Sequence, residues 1–254
     1  MFAADEMPPW LRRTLGRMIR RTAEWSRKVA DIGPDTDVAR RFAHFGTGSC
    51  LGWPTGAVFN EQWIWIGDRV MIGPYTALSA GMGPGHQLGD EPVVRIGSRC
   101  SIGRGSHIIG HQCVEIGELV YTGPGVYITD QNHTYADPDL PIGWQWPSND
   151  PVRIGSGSWL GTGSVVLPGT SLGRNVTVAA GSIVRGTFPD HCVVAGAPAR
   201  IVRHLDDRGD WQPPFRSPAP DVPPEWVEAV AEAEAAALSS AYGQTHEQDT
   251  AALH

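Results

Sequence analysis

Aliphatic residues recur at every sixth position through the middle of the chain, and glycine often follows them. Glycine holds the second position in nine of fifteen such hexads, as in IGDRVM and IGSRCS, so tight turns between short strands are expected. A period of six predicts a parallel β-helix whose first hexad position fills a narrow core. The residues at that position are Ile66, Ile72, Leu78, Ile96, Ile102, Ile108, Ile116, Thr122, Ile128, Ile154, Leu160, Val166, Leu172, Val178 and Val184.

The interruptions of this period carry more information than the repeat itself. If three hexads make one triangular coil of eighteen residues, the coils after the first begin 12, 2, 20 and 0 residues later than expected. Every insertion therefore follows a third hexad, so all of them should leave from one corner of the prism. A weaker coil, with Phe45 and Leu51 at the first position, is expected before the others. The five regular coils begin at Ile66, Ile96, Ile116, Ile154 and Leu172.

The longest insertion follows the hexad ITDQNH and occupies residues 134–153. It holds carboxylates and the aromatic residues Tyr135, Trp144 and Trp146. Loops on rigid scaffolds are where function concentrates, and aromatic rings with carboxylates suit a sugar, which has apolar faces and many hydroxyls. We therefore expect an active site beside this loop, with the three aromatic residues and Asp130 in contact with substrate.

The flanks of the repeat have a different pattern. Apolar residues between 8 and 32 recur at spacings of three, four or seven, which predicts one amphipathic helix. A proline-rich connector follows Arg203, and the segment EWVEAVAEAEAAALSSAY predicts a second helix. The expected organisation is a helical region at 1–44, a β-helix at 45–204 with its active-site loop, and a connector and helix at 205–254.

Composition and charge limit the class of function. The 254 residues include 31 Gly and 21 Pro with 41% hydrophobic residues, which suits a turn-rich β fold with a core. The net charge of −7 argues against general nucleic-acid binding. The sequence has no run of eighteen apolar residues and no apolar stretch typical of a signal peptide, so a cytoplasmic location is expected. The basic N-terminal helix could touch an anionic membrane, but packing on its own domain or on a neighbouring subunit is commoner.

The segments VRIGSGSWLGTGSVVLPGTSLGRNVTVAAGSIV and VVAGAPARIVR resemble the hexapeptide-repeat acyltransferases, such as the galactoside, maltose and xenobiotic acetyltransferases. The dipeptide Asn132–His133, followed by a loop and VRIG, resembles their catalytic segment. The resemblance covers about residues 45–204. It implies a mainly β fold, a left-handed parallel β-helix with flanking helices, and a homotrimer with active sites between subunits. It also implies acyl transfer from acyl-CoA, a co-substrate and not a tightly bound cofactor, to a hydroxyl or amine.

On this resemblance His133 is the general base, and Asn132 helps to orient the imidazole or the acceptor. A histidine can take the proton of an attacking alcohol near neutral pH, so no covalent intermediate is required. The family's coenzyme A groove maps onto the later coils and the AGAPAR turn. Its expected residues are Trp159, Gly161, Thr162, Ala180, Gly181, Arg185, Arg200 and Arg203. Arginine suits phosphate groups because its planar fork can bind two oxygens at once.

A second resemblance suggests the identity of the donor and of the acceptor. The chain also resembles actinobacterial sugar acyltransferases, including an octanoyltransferase that acts on glucosylglycerate-type precursors, which suggests octanoyl-CoA as donor.

Two alternative functions belong to other classes of protein. A γ-carbonic-anhydrase-like zinc enzyme needs three histidines with two of them five apart, whereas His107 and His111 are four apart, so no metal site is expected. A non-catalytic trimeric scaffold would use the same coils to present loops.

Overall fold

Three parallel β-sheets form the faces of a triangular β-helix. The structure is a computed structural model that describes residues 7–216, 222–226 and 228–230. Each coil contributes one strand to each sheet, and each strand pairs in parallel with the equivalent strand of the next coil. Sheets 1, 2 and 3 contain seven, nine and six strands. The left-handed parallel β-helix implied by the family resemblance is confirmed.

The strands follow the chain coil by coil, in the order sheet 1, sheet 2, sheet 3. The first three coils comprise β1 (His44–Phe45), β2 (Cys50–Leu51), β3 (Val58–Phe59), β4 (Ile64–Ile66), β5 (Met71–Ile72), β6 (Ala77–Ala80), β7 (Val94–Ile96), β8 (Ser101–Ile102) and β9 (His107–Gly110). The fourth comprises β10 (Val114–Ile116), β11 (Tyr121–Thr122) and β12 (Tyr127–Thr129), after which β13 (Gln131–Asn132) and β14 (Ser148–Asn149) form an antiparallel pair.

The last coils continue this order. They comprise β15 (Val152–Ile154), β16 (Trp159–Leu160), β17 (Val165–Val166), β18 (Ser171–Leu172), β19 (Thr177–Val178), β20 (Ile183–Val184), β21 (Thr187–Phe188) and β22 (Cys192–Gly196). The antiparallel strands β23 (Ala199–Leu205) and β24 (Trp211–Gln212) extend sheet 2. Short 3₁₀ helices lie at Ala39–Arg41, Glu61–Trp63 and Ile142–Trp144.

The core is the column of first hexad positions predicted from the period. All of them are at most 3% exposed except Thr122, which is half-buried. The weak first coil is confirmed, because Phe45 pairs with Ile66 and Leu51 with Ile72. A partial seventh coil, carried by β21 and β22, was not predicted. Its signal was the six-residue step from Phe188 to Val194, which follows a break in the period.

Small residues let the coil corners stack closely. A Cβ atom at Gly103 would overlap the backbone carbonyl of Gly123 in the next coil, so only glycine fits that corner. Buried hydroxyls complete the corners. Ser106 Oγ donates to Gly103 O at 2.7 Å, and Ser49 Oγ donates to Gly67 O at 2.6 Å. At these corners the hydroxyls satisfy backbone carbonyl groups, and Gly103 has no room for a side chain.

The N-terminal helix α1 spans Pro9–Ala30, as the apolar spacing predicted. Its C-terminal end is attached to the first coil. Asp31 Oδ1 accepts a hydrogen bond from the Trp53 backbone N–H at 2.7 Å, and Ile32 and Leu51 exchange two backbone hydrogen bonds of 2.9 Å. Among the described residues, no helix combines the length and the apolar character that crossing a bilayer requires.

The chain divides into two compact units, Met1–Gln212 and Pro213–His254. The first unit contains both α1 and the β-helix. In the second, residues 224–226 and 228–230 are helical, and the rest of the predicted C-terminal helix lies outside the described residues. The proposed boundaries at 44/45 and 204/205 stay predictions.

Candidate active site

All three insertions leave the prism where sheet 3 passes to sheet 1, as their phase predicted. They follow β6, β9 and β12, the sheet 3 strands of three successive coils. The longest one is the 133–147 loop, whose two ends are joined by the pairing of β13 with β14. Thr134 Oγ1 also donates to Trp146 O at 2.6 Å across its base.

Gln145 holds the 133–147 loop in one shape. Its side-chain Nε2 donates to Asp137 O at 2.8 Å and to Leu140 O at 3.0 Å. Its Oε1 accepts the Asp137 backbone N–H at 3.1 Å. Because one buried amide satisfies three backbone groups, the loop has a defined structure that can wall a binding site.

A cavity of about 420 Å³ lies between this loop and sheet 3, and His133 lines it. Its volume falls within the ordinary range for small-molecule sites. Gln131 lines it as well, whereas Asn132 does not, since alternate residues of a strand point to opposite faces. The catalytic role expected of Asn132 stays a prediction, and Gln131, two residues before His133, is the one of the two that faces this cavity. The other lining residues are Ala57, Phe59, Ala77, Ser79, Gly81, Met82, His107, Ile109, His111, Gly143, Gln145 and Pro147.

His111 is a second imidazole of this cavity that sequence reasoning left without a role. Its Nδ1 lies 2.8 Å from Nε2 of Gln131, whose amide group only donates there. Burial lowers the pKa of His111 below its ordinary value, with His86 acting in the same direction and Asp130 opposing it. The ring is therefore neutral near pH 7, with Nδ1 accepting and the proton on Nε2, which is available as a hydrogen-bond donor.

Asp130, expected to contact substrate, is buried and does not line this cavity. Its side chain is 0% exposed, and its two oxygens accept three backbone N–H groups, from His111 at 2.8 Å, Gln112 at 2.7 Å and Cys113 at 2.6 Å. The carboxylate thus fixes the turn that leads from β9 to β10. It acts on the cavity through His111, which belongs to that turn.

The aromatic residues of the 133–147 loop also lie elsewhere than predicted. Tyr135, Trp144 and Trp146 are 79%, 79% and 74% exposed, and none of them lines the cavity that holds His133. The loop contributes Gly143, Gln145 and Pro147 to the cavity instead. The contact of these three aromatic residues with substrate stays a prediction.

The expected coenzyme A residues fall into three groups. Gly161, Thr162, Ala180 and Gly181 stack in adjacent coils at the corner between sheets 2 and 3, where Gly181 N–H donates to Thr162 O at 2.9 Å. Trp159, 50% exposed, lies next to them on β16.

The three arginines divide between two places. Arg200 and Arg203 lie on β23, which extends sheet 2, and Arg200 Nη1 donates to Ala199 O at 2.8 Å. Arg185 stands apart, exposed after β20, at the corner between sheets 3 and 1. His133 is therefore separated from the stacked glycine corner by the width of sheet 3.

Among the residues that the structure describes, no three histidine, cysteine, aspartate or glutamate side chains come together in a way that could hold a metal ion. His107, His111 and His133 all line the same cavity, but they do not form such a group.

The environment of His111 predicts a pH dependence of stability. Because its folded pKa is below the ordinary 6.5, the unfolded chain binds more protons between the two values, so stability falls as pH decreases through that window. Protonation of Nδ1 would also place two N–H donors opposite each other, because Gln131 Nε2 already donates at that position. We expect the free energy of unfolding to drop between pH 7.5 and pH 5 by more in the native chain than in His111→Gln, measured by urea denaturation. Equal drops in the two proteins would contradict the assignment.

Comparison with known proteins agrees with this architecture. Residues 151–186 match the family model described as bacterial transferase hexapeptide (six repeats). The chain is 33% identical over 143 residues to a probable acetyltransferase of Mycobacterium tuberculosis, covering 56% of this chain and 43% of that protein. It is 32% identical over 131 residues to the galactoside O-acetyltransferase of Escherichia coli, covering 46% and 61%. The chain thus spans about half the length of the curated relatives it matches.

A solved structure shares the fold at low sequence identity. The N-acyltransferase AntD from Bacillus cereus, in complex with dTDP and 3-hydroxybutyryl-CoA, superposes with a TM-score of 0.55 at 19% identity, over 66% of this chain and 86% of that one. The repeats, the coil architecture, the family model and these relatives agree with one another. Residues 151–186 thus match the bacterial transferase hexapeptide model, and a wider part of the chain is similar to proteins named as acetyltransferases.

Proposed function

We propose that this protein transfers an acyl group from a coenzyme A thioester to a hydroxyl of a sugar-containing acceptor. One observation carries the proposal: His133 lies on a cavity of about 420 Å³ at the corner where the β-helix extends its longest loop. The relatives named as acetyltransferases, among them a galactoside O-acetyltransferase, support the reaction class.

His133 is the general base of the proposed reaction. The acceptor hydroxyl attacks the thioester carbonyl carbon while the imidazole takes the hydroxyl proton. The tetrahedral intermediate then collapses, the carbon–sulfur bond breaks, and the imidazolium returns the proton to the leaving thiolate. Backbone N–H groups of a neighbouring coil are suited to stabilise the oxyanion. No serine or cysteine nucleophile is needed.

The cavity has the chemistry of a small polar acceptor site. His111 Nε2–H donates, and the side chains of Ser79 and Gln131 offer further polar groups. Phe59 and Ile109 supply apolar surface against which a sugar ring face can pack. We assign His111 and Gln131 to acceptor positioning, which takes over the role expected of Asn132.

The donor and acceptor sites are proposed to come from different copies of the chain in a homotrimer. The stacked corner of Gly161, Thr162, Ala180 and Gly181 and the corner that holds His133 are on opposite edges of sheet 3. A neighbouring subunit can bring its own stacked corner to His133. It can also cover Trp144 and Trp146, which are exposed in the single chain.

Subunit mixing tests this composite site. Ala180→Trp fills the exposed turn of the stacked corner, and His133→Ala removes the base, so each variant alone is expected to be inactive. Trimers formed by unfolding and refolding the two variants together should regain activity, because some interfaces combine an intact corner with an intact histidine. No recovery in mixed trimers, verified by two different affinity tags, would place both halves of the site in one chain.

The reaction itself is tested by acceptor-dependent release of the coenzyme A thiol. Acetyl-CoA and octanoyl-CoA would each be offered with a panel of glucose-containing acceptors, including glucosylglycerate. The narrower form of the proposal expects release with octanoyl-CoA and the glucosylglycerate-type acceptor. Release with acetyl-CoA alone would restrict the donor to a short acyl chain. Neither release nor coenzyme A binding by the folded protein would overturn the enzyme proposal and favour the scaffold.

A further inference from the structure

Helix α1 has an apolar face that the described residues leave largely uncovered. With about 100° of rotation per residue, Trp25, Met18, Leu11, Val29, Leu15 and Ile19 occupy an arc of about 120° on one side of the helix. Met18, Ile19, Trp25 and Val29 are each 60–67% exposed. The arc also contains Thr22 and Ser26 and is otherwise apolar. An exposed, mainly apolar strip of this length marks an interaction site, since covering it removes apolar area from water.

The same helix has a high density of positive charge. Between Pro9 and Ala30 there are seven basic residues and one acidic residue, so α1 has a net charge of +6. The whole chain carries −7, so the rest of it carries −13. A surface that binds the protein through α1 must therefore be anionic as well as apolar.

Two arginines lie at the margins of the apolar arc. On the helical wheel, Arg12 follows Ile19 by about 20° and Arg21 precedes Trp25 by about 40°. Both side chains are exposed. An interfacial helix needs this arrangement, because its apolar face enters the acyl boundary while flanking cations meet the phosphate layer on either side.

We propose that α1 docks the protein on an anionic lipid surface, lying in the plane of the headgroups. The attachment of its C-terminal end to the first coil through Asp31 and Ile32 would hold the β-helix beside that surface. The rest of the chain is acidic and is repelled by the same lipids, so α1 would determine the orientation of the protein on the lipid surface. This inference is independent of the proposed reaction.

Vesicle co-sedimentation of the full chain tests the proposal. We expect binding to phosphatidylcholine vesicles containing about a third phosphatidylglycerol, little binding to pure phosphatidylcholine, and loss of binding as salt rises from low to about 0.5 M. The double variant Met18→Ser, Trp25→Ser removes apolar contact and keeps the charge. The double variant Arg12→Gln, Arg21→Gln removes two positive charges and keeps the apolar face. Each pair should weaken binding at least tenfold, whereas the control Arg208→Gln, outside α1, should not.

The oligomeric state of the same proteins, measured by sedimentation velocity, distinguishes a lipid surface from a second copy of the chain. Unchanged oligomeric state in both double variants, together with weakened vesicle binding, supports the lipid surface. Absence of binding by the native chain to any vesicle overturns the proposal. So does dissociation of the oligomer in Met18→Ser with Trp25→Ser, because α1 would then cover a second copy.

Discussion

Replacement of His133 by alanine should lower the rate of acyl transfer by about 10²–10⁴-fold, the usual contribution of a positioned general base. The side chain is exposed at the cavity, and its neighbours on β13 are held by backbone pairing, so the fold should not change. The loss should therefore appear in kcat with little change in the affinity for coenzyme A. The measurement is thiol release under saturating donor and acceptor.

His44→Ala is the matched control for this variant. His44 is exposed on β1 in sheet 1 and stacks against Trp65 at 5.0 Å, away from the cavity. It should keep full activity. If His133→Ala retained more than a third of the native rate, another group would have to accept the proton, and His107, which also lines the cavity, would be the first to test.

Removal of the Asp130 carboxylate is expected to destabilise the fold by about 3–5 kcal/mol. Asp130→Ala would leave three backbone N–H groups of residues 111–113 without their acceptor at a site with 0% side-chain exposure. The free energy of unfolding in urea, at one fixed protein concentration, measures the effect. Activity should fall too, since His111 belongs to the turn that loses its support.

Asp130→Asn separates charge from shape in this experiment. Its amide oxygen can still accept, while its NH₂ group faces a backbone donor, so an intermediate loss of stability is expected. Asp139→Ala on the exposed 133–147 loop should change the free energy of unfolding by no more than about 0.5 kcal/mol. A loss as small as that in Asp130→Ala would show that the turn holds its shape without the carboxylate.

The sequence predicted the scaffold well because one physical rule governs it. A side chain at the first hexad position can only point into the prism, so Ile66, Ile96 and Ile154 identify both the core and the start of each coil. The corner of the insertions followed from the same phase. The partial seventh coil was not predicted because Phe188 comes four residues after Val184 instead of six. A shortened turn there interrupts the six-residue period although the β-helix continues.

The site was harder to predict because it depends on directions that a period does not encode. His133 was found through its family resemblance and its place beside the loop. Gln131 and not Asn132 faces the cavity because β13 alternates as a strand, and no repeat indicated that β13 would pair with β14. Asp130 was expected at the substrate because carboxylates suit sugar hydroxyls, whereas here it is buried and accepts three backbone N–H groups.

Because every insertion leaves from one corner, the coils and the loops can change in different ways during evolution. At Gly103, in another corner, the stacked backbone leaves no room even for a Cβ atom, so an added residue there would disturb the stacking of the coils. At the corner between sheets 3 and 1, a loop of another length meets little resistance, since doubling a flexible loop costs only about 0.6 kcal/mol. Acceptor preference can therefore diversify by grafting of whole loops between relatives while the scaffold and its histidine remain untouched.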